Sequence, residues 1–324
     1  MGIIDVVDLR KYFPVKAGPF AKHGLLKAVD GVSLSIAEGK VFSLVGESGC
    51  GKSTVARLIL RLLKPTSGTV TFRGIDIVEQ KGEALKGFRK SVQIIFQDPF
   101  ASLNPRMTVF ETLSEPIKIH KIVPKSQFRD KVEGLLKSVG LQPDVLDRYP
   151  HEFSGGQRQR ICIARALAVS PEVIVADEPL SALDVSIQAQ VLNILQKLKE
   201  ASHISFLFIS HDLRVVQYFS DEVAVMYLGK IVEQSSADEL FENPLHPYTV
   251  VLLSSVPKIR PGGQTRTILK GDVPSPVDMP PGCPFHPRCP KRFEPCDTIV
   301  PKLSAPAGHG FGGRMVSCHL WNPC

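Results

Sequence analysis

The sequence predicts an α/β fold organised around a mostly parallel sheet, on three observations. Short β-branched runs alternate with helical patterns, a glycine-rich turn joins one of those runs to a helix, and 324 residues at 43% hydrophobic content supply a sizeable core. In chain order, strands are expected at 41–45, 92–96, 173–176 and 206–209, and helices at 52–63, 155–169 and 185–201. Between Asp98 and Phe153 the strand signal stops. Apolar spacing there predicts helices over 108–120 and 125–139, so a helical subdomain at about 99–154 is read as an insertion in the α/β core. Residues 1–242 contain 11 prolines and residues 243–324 contain 15, which places the body at 1–255 and a proline-rich linker with a small cysteine-rich extension at 256–324.

Composition narrows the class. Lys and Arg (39) exceed Asp and Glu (32) by +7, a mild excess that favours anionic ligands or an anionic surface over a nucleic-acid stripe. No stretch approaches the roughly 18 apolar residues of a membrane span, and the start Met-Gly-Ile-Ile-Asp-Val lacks the basic and apolar regions of a signal peptide. Val6 stands where a myristoylation motif needs Ser or Thr, so a cytoplasmic protein is expected. Of seven cysteines, Cys50 and Cys162 are isolated and read as small core hydrophobes, whereas Cys283, Cys289, Cys296, Cys318 and Cys324 crowd the final 42 residues.

The motifs point to phosphate chemistry. Gly46-Glu47-Ser48-Gly49-Cys50-Gly51-Lys52-Ser53-Thr54 follows an apolar run and opens an amphipathic helix, the strand-loop-helix context that a P-loop requires. In such a loop the glycines let backbone amides approach a polyphosphate, Lys52 neutralises its β/γ charge, the Ser53 hydroxyl ligates Mg²⁺, and Thr54 adds an α-phosphate contact. A second apolar run ends in Asp177-Glu178, carboxylates suited to hold Mg²⁺ through water and to polarise an attacking water; the plainer alternative is a solvated strand end. Ser154-Gly155-Gly156-Gln157 opens another long helix, a second anion-binding helix terminus.

With Gln97 after a strand, Ser181-Ala182-Leu183-Asp184 and His211, these motifs occur in the order of an ABC transporter ATPase, a family the chain resembles. The resemblance implies a P-loop NTPase core and a head-to-tail dimer in which the Ser154–Gln157 signature of one subunit caps ATP on the P-loop of the other. It implies that Glu178 polarises the attacking water, that Gln97 senses Mg²⁺ and a transmembrane partner, that Asp184 couples the two sites, and that His211 contacts the γ-phosphate. Read alone, Gln97 is a strand-end polar residue, Asp184 a helix N-cap and His211 an ordinary helix-start residue. Phe13 matches the adenine-stacking aromatic of the family, with neighbouring Tyr12 as the alternative and a core role open to either.

Longer stretches resemble the oligopeptide/dipeptide importer ATPases: Gln97 to Arg106, Tyr149-Pro150-His151, and Asn243-Pro244-Leu245-His246-Pro247-Tyr248-Thr249. Lys11-Tyr12-Phe13-Pro14-Val15-Lys16 looks more like the F-type subunit than the D-type. This implies a heterodimer with a D-type ATPase (a homodimer being possible in isolation), two transmembrane permease subunits, an indirect link to a peptide-binding protein, and a peripheral place on the inner face of the membrane. The tail reads Cys283-x5-Cys289-x6-Cys296-x21-Cys318, without the tight knuckles usual for structural zinc. Such spacing, with the family likeness, leads to an expected [4Fe-4S] cluster on these four cysteines. Zinc is the alternative, with His286 or His319 able to substitute, and a metal-free tail is the third reading. The expected function is ATP hydrolysis driving uptake of di- and oligopeptides. A nickel or small-solute importer is the alternative, and a soluble ABC ATPase acting on nucleic acid is disfavoured for want of a basic stripe.

Overall fold

A computed structural model describes residues 2–15, 24–254, 271–307 and 313–322. Residues 255–270, most of the expected linker, and Cys324 lie outside the described residues. The chain divides into two compact units, the first formed by Met1–Ser35, Val41–Val78 and Ser210–Cys324, the second by Ile36–Lys40 and Glu79–Ile209.

The first unit opens with β1 (Ile4–Val15), β2 (Gly24–Ile36), β3 (Val41–Val45), α1 (Lys52–Ile59), β4 (Ser67–Phe72) and β5 (Ile75–Asp76). Strands β2-β1-β4-β5 form one sheet, with β4 antiparallel to both β1 and β5. The register of β1 slips between Val7 and Arg10, where Asp8 adopts a positive φ of 46°. Opposite that irregularity a Cβ on Gly68 would stand 2.3 Å from the Asp8 carbonyl oxygen, so only glycine fits.

The second unit contains α2 (Gly82–Ser91), β6 (Val92–Ile95), α3 (Pro99–Ser102), α4 (Val109–Ile119), α5 (Phe128–Ser138), α6 (Gly155–Leu167), β7 (Val173–Asp177), α7 (Val185–Ser202) and β8 (Ser205–Ile209). Strands β6, β7 and β8 run parallel, pairing Val92 with Val173 and Val173 with Ser205. Every residue of β7 and β8 is buried, which is why both read as unbroken apolar runs rather than alternating ones. Helices α3, α4 and α5 pack on α6. A capping box starts α4, in which Thr108 Oγ1 accepts from the Glu111 amide and Glu111 accepts from the Thr108 amide. The single helix expected at 125–139 is instead a 3₁₀ turn, Lys125–Gln127, followed by α5.

The chain then returns to the first unit with α8 (Leu213–Phe219), β9 (Glu222–Tyr227), β10 (Lys230–Ser236), α9 (Ala237–Glu242), α10 (Pro247–Ser254) and β11 (Met315–Val316). Here β9 runs parallel to β3, and β10 and β11 add antiparallel neighbours. The β9–β10 hairpin turns on Leu228 and Gly229, both at positive φ as a two-residue I′ turn demands. Among the described residues no helix is long and apolar enough to cross a membrane.

The C-terminal segment is fastened to β10 by a buried charge. Glu233 is fully buried and accepts from the amides of Leu245 (2.8 Å) and His246 (2.9 Å) and from Arg314 (3.2 Å). Trp321 adds a bond from Nε1 to the Leu245 carbonyl and packs over Leu245, Val316 and Cys318. Replacing Glu233 with Ala removes the buried carboxylate facing Arg314, which keeps its bond to the Asn243 carbonyl, and strands the Leu245 and His246 amides; it is expected to lower stability by about 3–5 kcal/mol, read as a lower urea midpoint. An unchanged midpoint would show that Arg314 finds solvent instead.

Candidate functional site

The P-loop lies in the first unit between β3 and α1. Gly46 and Gly51 take positive φ, and a Cβ on either would come within 2.2 Å of a backbone carbonyl, that of Met226 or Ala28 respectively. These glycines let β9 and β2 press against the loop from outside. Helix α1 begins with no side-chain cap at Gly51 and no acidic residue in its first turn, so no side-chain cap competes with an anion for its leading amides. Lys52 is buried and bends back over the loop, donating to the carbonyls of Gly46 (2.8 Å) and Glu47 (2.9 Å). Ser53 and Thr54 occupy the same first turn. Cys50 is buried, and burial pushes its thiol upward despite the Lys52 ammonium beside it. Cys162 is buried within α6 and pushed up to about 11. Both are unpaired.

In the second unit Asp177 is the buried last residue of β7. Glu178 follows at a positive φ of 48°, a backbone state that non-glycine residues adopt at a cost of about 1–3 kcal/mol. That geometry is over-determined. The Glu178 amide donates to Ile209 (3.0 Å), and its carbonyl accepts from the Ser181 amide and hydroxyl. The Gln97 amide nitrogen donates to Glu178 Oε2 at 3.0 Å, bringing together two residues that the sequence separates by 81 positions.

The signature turn is self-capped: Ser154 Oγ accepts from the Gln157 amide and Gln157 Oε1 accepts from the Ser154 amide. Gly156 is demanded by packing, because a Cβ there would meet Ile187 of α7 at 2.4 Å. The stretch after Gln97 is fastened to this helix. Arg158 lies 3.9 Å from the Phe100 ring centroid, and Arg165 donates to the Ser102 carbonyl. Asp184 is exposed and sits at the N-cap of α7, yet its side chain makes no capping bond. His211 is exposed, and Asp212, not His211, caps α8.

On β1, the Tyr12 hydroxyl donates to Asp30, which also pairs with Lys230, and burial with this bond raises the phenol to about 12. Phe13 is half-buried with the Lys11 ammonium 5.1 Å from its ring centroid.

Cys283, Cys289, Cys296 and Cys318 line one pocket with His286 and His319. All four are free thiols; burial pushes Cys283 up to about 12 and Cys318 to about 11, and raises Cys289. Among the described residues, however, no group of three or more His, Cys, Asp or Glu side chains stands close enough to hold a metal ion. The expected [4Fe-4S] cluster and the zinc alternative, with or without His286 or His319, alike find no such ligand group among the described residues. His286 Nδ1 is instead within hydrogen-bond distance of the Cys283 carbonyl, and His319 Nε2 of the Ile299 carbonyl.

Sequence reasoning gave no role to two residues that reach the P-loop, Tyr248 and Arg288, or to Phe285 packed behind them. The Tyr248 hydroxyl accepts from the Glu47 amide at 2.9 Å, Arg288 forks onto the Glu47 carboxylate, and Phe285 packs between Tyr227 and Tyr248.

Comparison with known proteins agrees with these motifs. The ABC transporter family model matches residues 29–181, and the model for the C-terminal region of oligopeptide/dipeptide transporters matches residues 232–296. The chain is 52% identical to the oligopeptide transport ATP-binding protein AppF of Bacillus subtilis, covering 99% of this chain and 98% of that one. It is 48% identical to the dipeptide transport ATP-binding protein DppF of Escherichia coli K12, covering 98% and 93%. Among solved structures, the dimeric post-hydrolysis state of the ATP-binding cassette MJ0796 bound to ADP and Pi matches at a TM-score of 0.64 and 28% identity, over 72% of this chain and 98% of that one.

Proposed function

This chain belongs to the oligopeptide/dipeptide branch of the ABC transporter ATPases, and on that premise we propose that it hydrolyses ATP to drive uptake of di- and oligopeptides. Near-complete coverage of AppF at 52% identity carries the reading. The nucleotide-binding body is assigned to 1–255 with its helical subdomain at about 99–154, and the C-terminal region to 256–324.

In this reading the uncapped turn of α1 and Lys52 take the β- and γ-phosphates, Phe13 stacks on adenine, and the Ser154–Gln157 signature of a second subunit closes the site. Phe13 is preferred because the hydroxyl of Tyr12 is committed to Asp30. Ser53, Asp177 and Gln97 offer the hydroxyl, carboxylate and amide oxygen that suit Mg²⁺, whose chemistry is to neutralise phosphate charge. Water attacks the γ-phosphorus as the bond to ADP breaks, and Glu178 takes the proton. Gln97 holds the Glu178 carboxylate, His211 contacts the γ-phosphate, and Asp184 couples the sites.

The partners assigned are a D-type ATPase, two permease subunits that hold the chain peripherally at the membrane, and through them a peptide-binding protein. Loss of this chain from its host should abolish uptake of a radiolabelled dipeptide, with wild type restoring it and Glu178→Gln failing to. Restored nickel uptake with unchanged peptide uptake would move the chain to the small-solute branch.

The four cysteines are assigned to a [4Fe-4S] cluster. The reading rests on the irregular spacing of the four thiols, without tight zinc knuckles, and on their lining one pocket. The chain purified without oxygen should carry iron and sulfide in equal amounts, and Cys289→Ser should lose both while still binding ATP. Iron content equal to wild type in that variant would remove Cys289 from the set.

A further inference from the structure

The cysteine-lined pocket and the P-loop are joined through one arginine. Arg288 lies in the 3₁₀ turn His286–Arg288, strung between Cys283 and Cys289 by bonds from the His286 amide to the Cys283 carbonyl and from the Cys289 amide to the His286 carbonyl. Its guanidinium is bidentate on Glu47, at 2.9 Å and 3.2 Å, with side chains only 8% and 28% exposed. The same turn sends Phe285 into an aromatic cluster with Tyr227 (5.3 Å between centroids) and Tyr248 (5.4 Å), and Tyr248 in turn accepts from the Glu47 amide. One short turn thus grips Glu47 at its carboxylate directly and at its backbone through a tyrosine.

The chemistry of the loop explains the need for this grip. The P-loop concentrates positive groups for a polyphosphate, yet its second residue is a carboxylate that repels that ligand unless neutralised. A planar guanidinium neutralises it and also fixes its direction, which a lysine on a flexible stem does not. We propose that Arg288 is a positioning residue for nucleotide binding, cancelling the charge of Glu47 and locking the start of the P-loop, so that the cysteine-rich segment sets the ATP affinity of this chain's own P-loop. This rests on the assignment of the P-loop as the ATP site.

The test is equilibrium titration of the full chain with fluorescent MgATP and MgADP. Arg288→Ala should raise the ATP Kd about tenfold and the ADP Kd less, because ADP brings less charge against the freed carboxylate. Adding Glu47→Gln to Arg288→Ala should recover most of the loss, and Arg288→Lys should lie between wild type and Arg288→Ala. Where Arg288→Ala fails to fold, Arg288→Gln takes its place. An ATP Kd within twofold of wild type overturns the proposal, as does a double variant no better than the single one, since a packing defect is not rescued by removing a charge. A wild-type chain that binds no ATP sinks the P-loop assignment instead, and is told apart by failing before any substitution is made.

Discussion

Glu178→Gln is expected to stop ATP turnover by about 10²–10⁴-fold, the range a positioned general base contributes, while leaving ATP binding close to wild type. The side chain keeps its shape and loses only the ability to take a proton. Gln97 donates to Glu178 Oε2, and a glutamine at 178 preserves that bond by turning its amide oxygen toward Gln97. The left-handed backbone at 178 depends on the Ile209 and Ser181 partners, which bind main-chain atoms and are untouched. ATP should then accumulate bound, and since the family closes as dimers around nucleotide, light scattering should show a persistent dimer with ATP. Phosphate release within tenfold of wild type would remove Glu178 from the role of base.

Lys52→Ala should act on the opposite step, weakening nucleotide binding about 10–100-fold, as befits one or two hydrogen bonds to a charged partner. Two losses combine. The phosphates lose a cation, and the loop loses the crosslinks from Nζ to the Gly46 and Glu47 carbonyls. Those carbonyls lie in a loop whose tip, Ser48 and Gly49, is exposed, so water can replace the ammonium and the melting temperature should fall only slightly. Calorimetric titration separates the two variants: Glu178→Gln binds as wild type does and does not turn over, whereas Lys52→Ala binds about 10–100-fold more weakly. Wild-type affinity in Lys52→Ala would withdraw the P-loop lysine from the phosphate site.

Much of this was legible in the chain because local rules and tertiary demands coincide. The run 41–45, buried throughout as β3, and the runs that become β7 and β8, are unmistakable since both faces of those strands are covered. Strands β1, β2, β4 and β5 were not anticipated; β1 mixes buried and exposed residues without clean alternation, and its bulge at Asp8 shifts the phase midway. The helix expected to reach residue 63 ends at Ile59, close to Arg61 at a positive φ of 56° that no local motif announces. The signature glycines read as an anion-binding turn, and Gly156 has in addition a packing demand that no local pattern announces, from Ile187 on a neighbouring helix. Arg288 drew no notice among prolines and cysteines, for its meaning lies in a carboxylate 241 residues earlier.

That separation bears on the life of the chain before it is finished. The strand that launches the P-loop, β3, pairs with β9, whose residue Val225 lies opposite Val45, and Glu47 finds Arg288 only after most of the polypeptide exists. At about 5–20 residues per second, a ribosome needs roughly 10–50 s to make the intervening 241 residues. For most of that interval the glycine-rich segment lacks its neighbour β9, and for all of it the arginine. With Arg288 in its proposed role, the growing chain gains its full grip on nucleotide only late in synthesis.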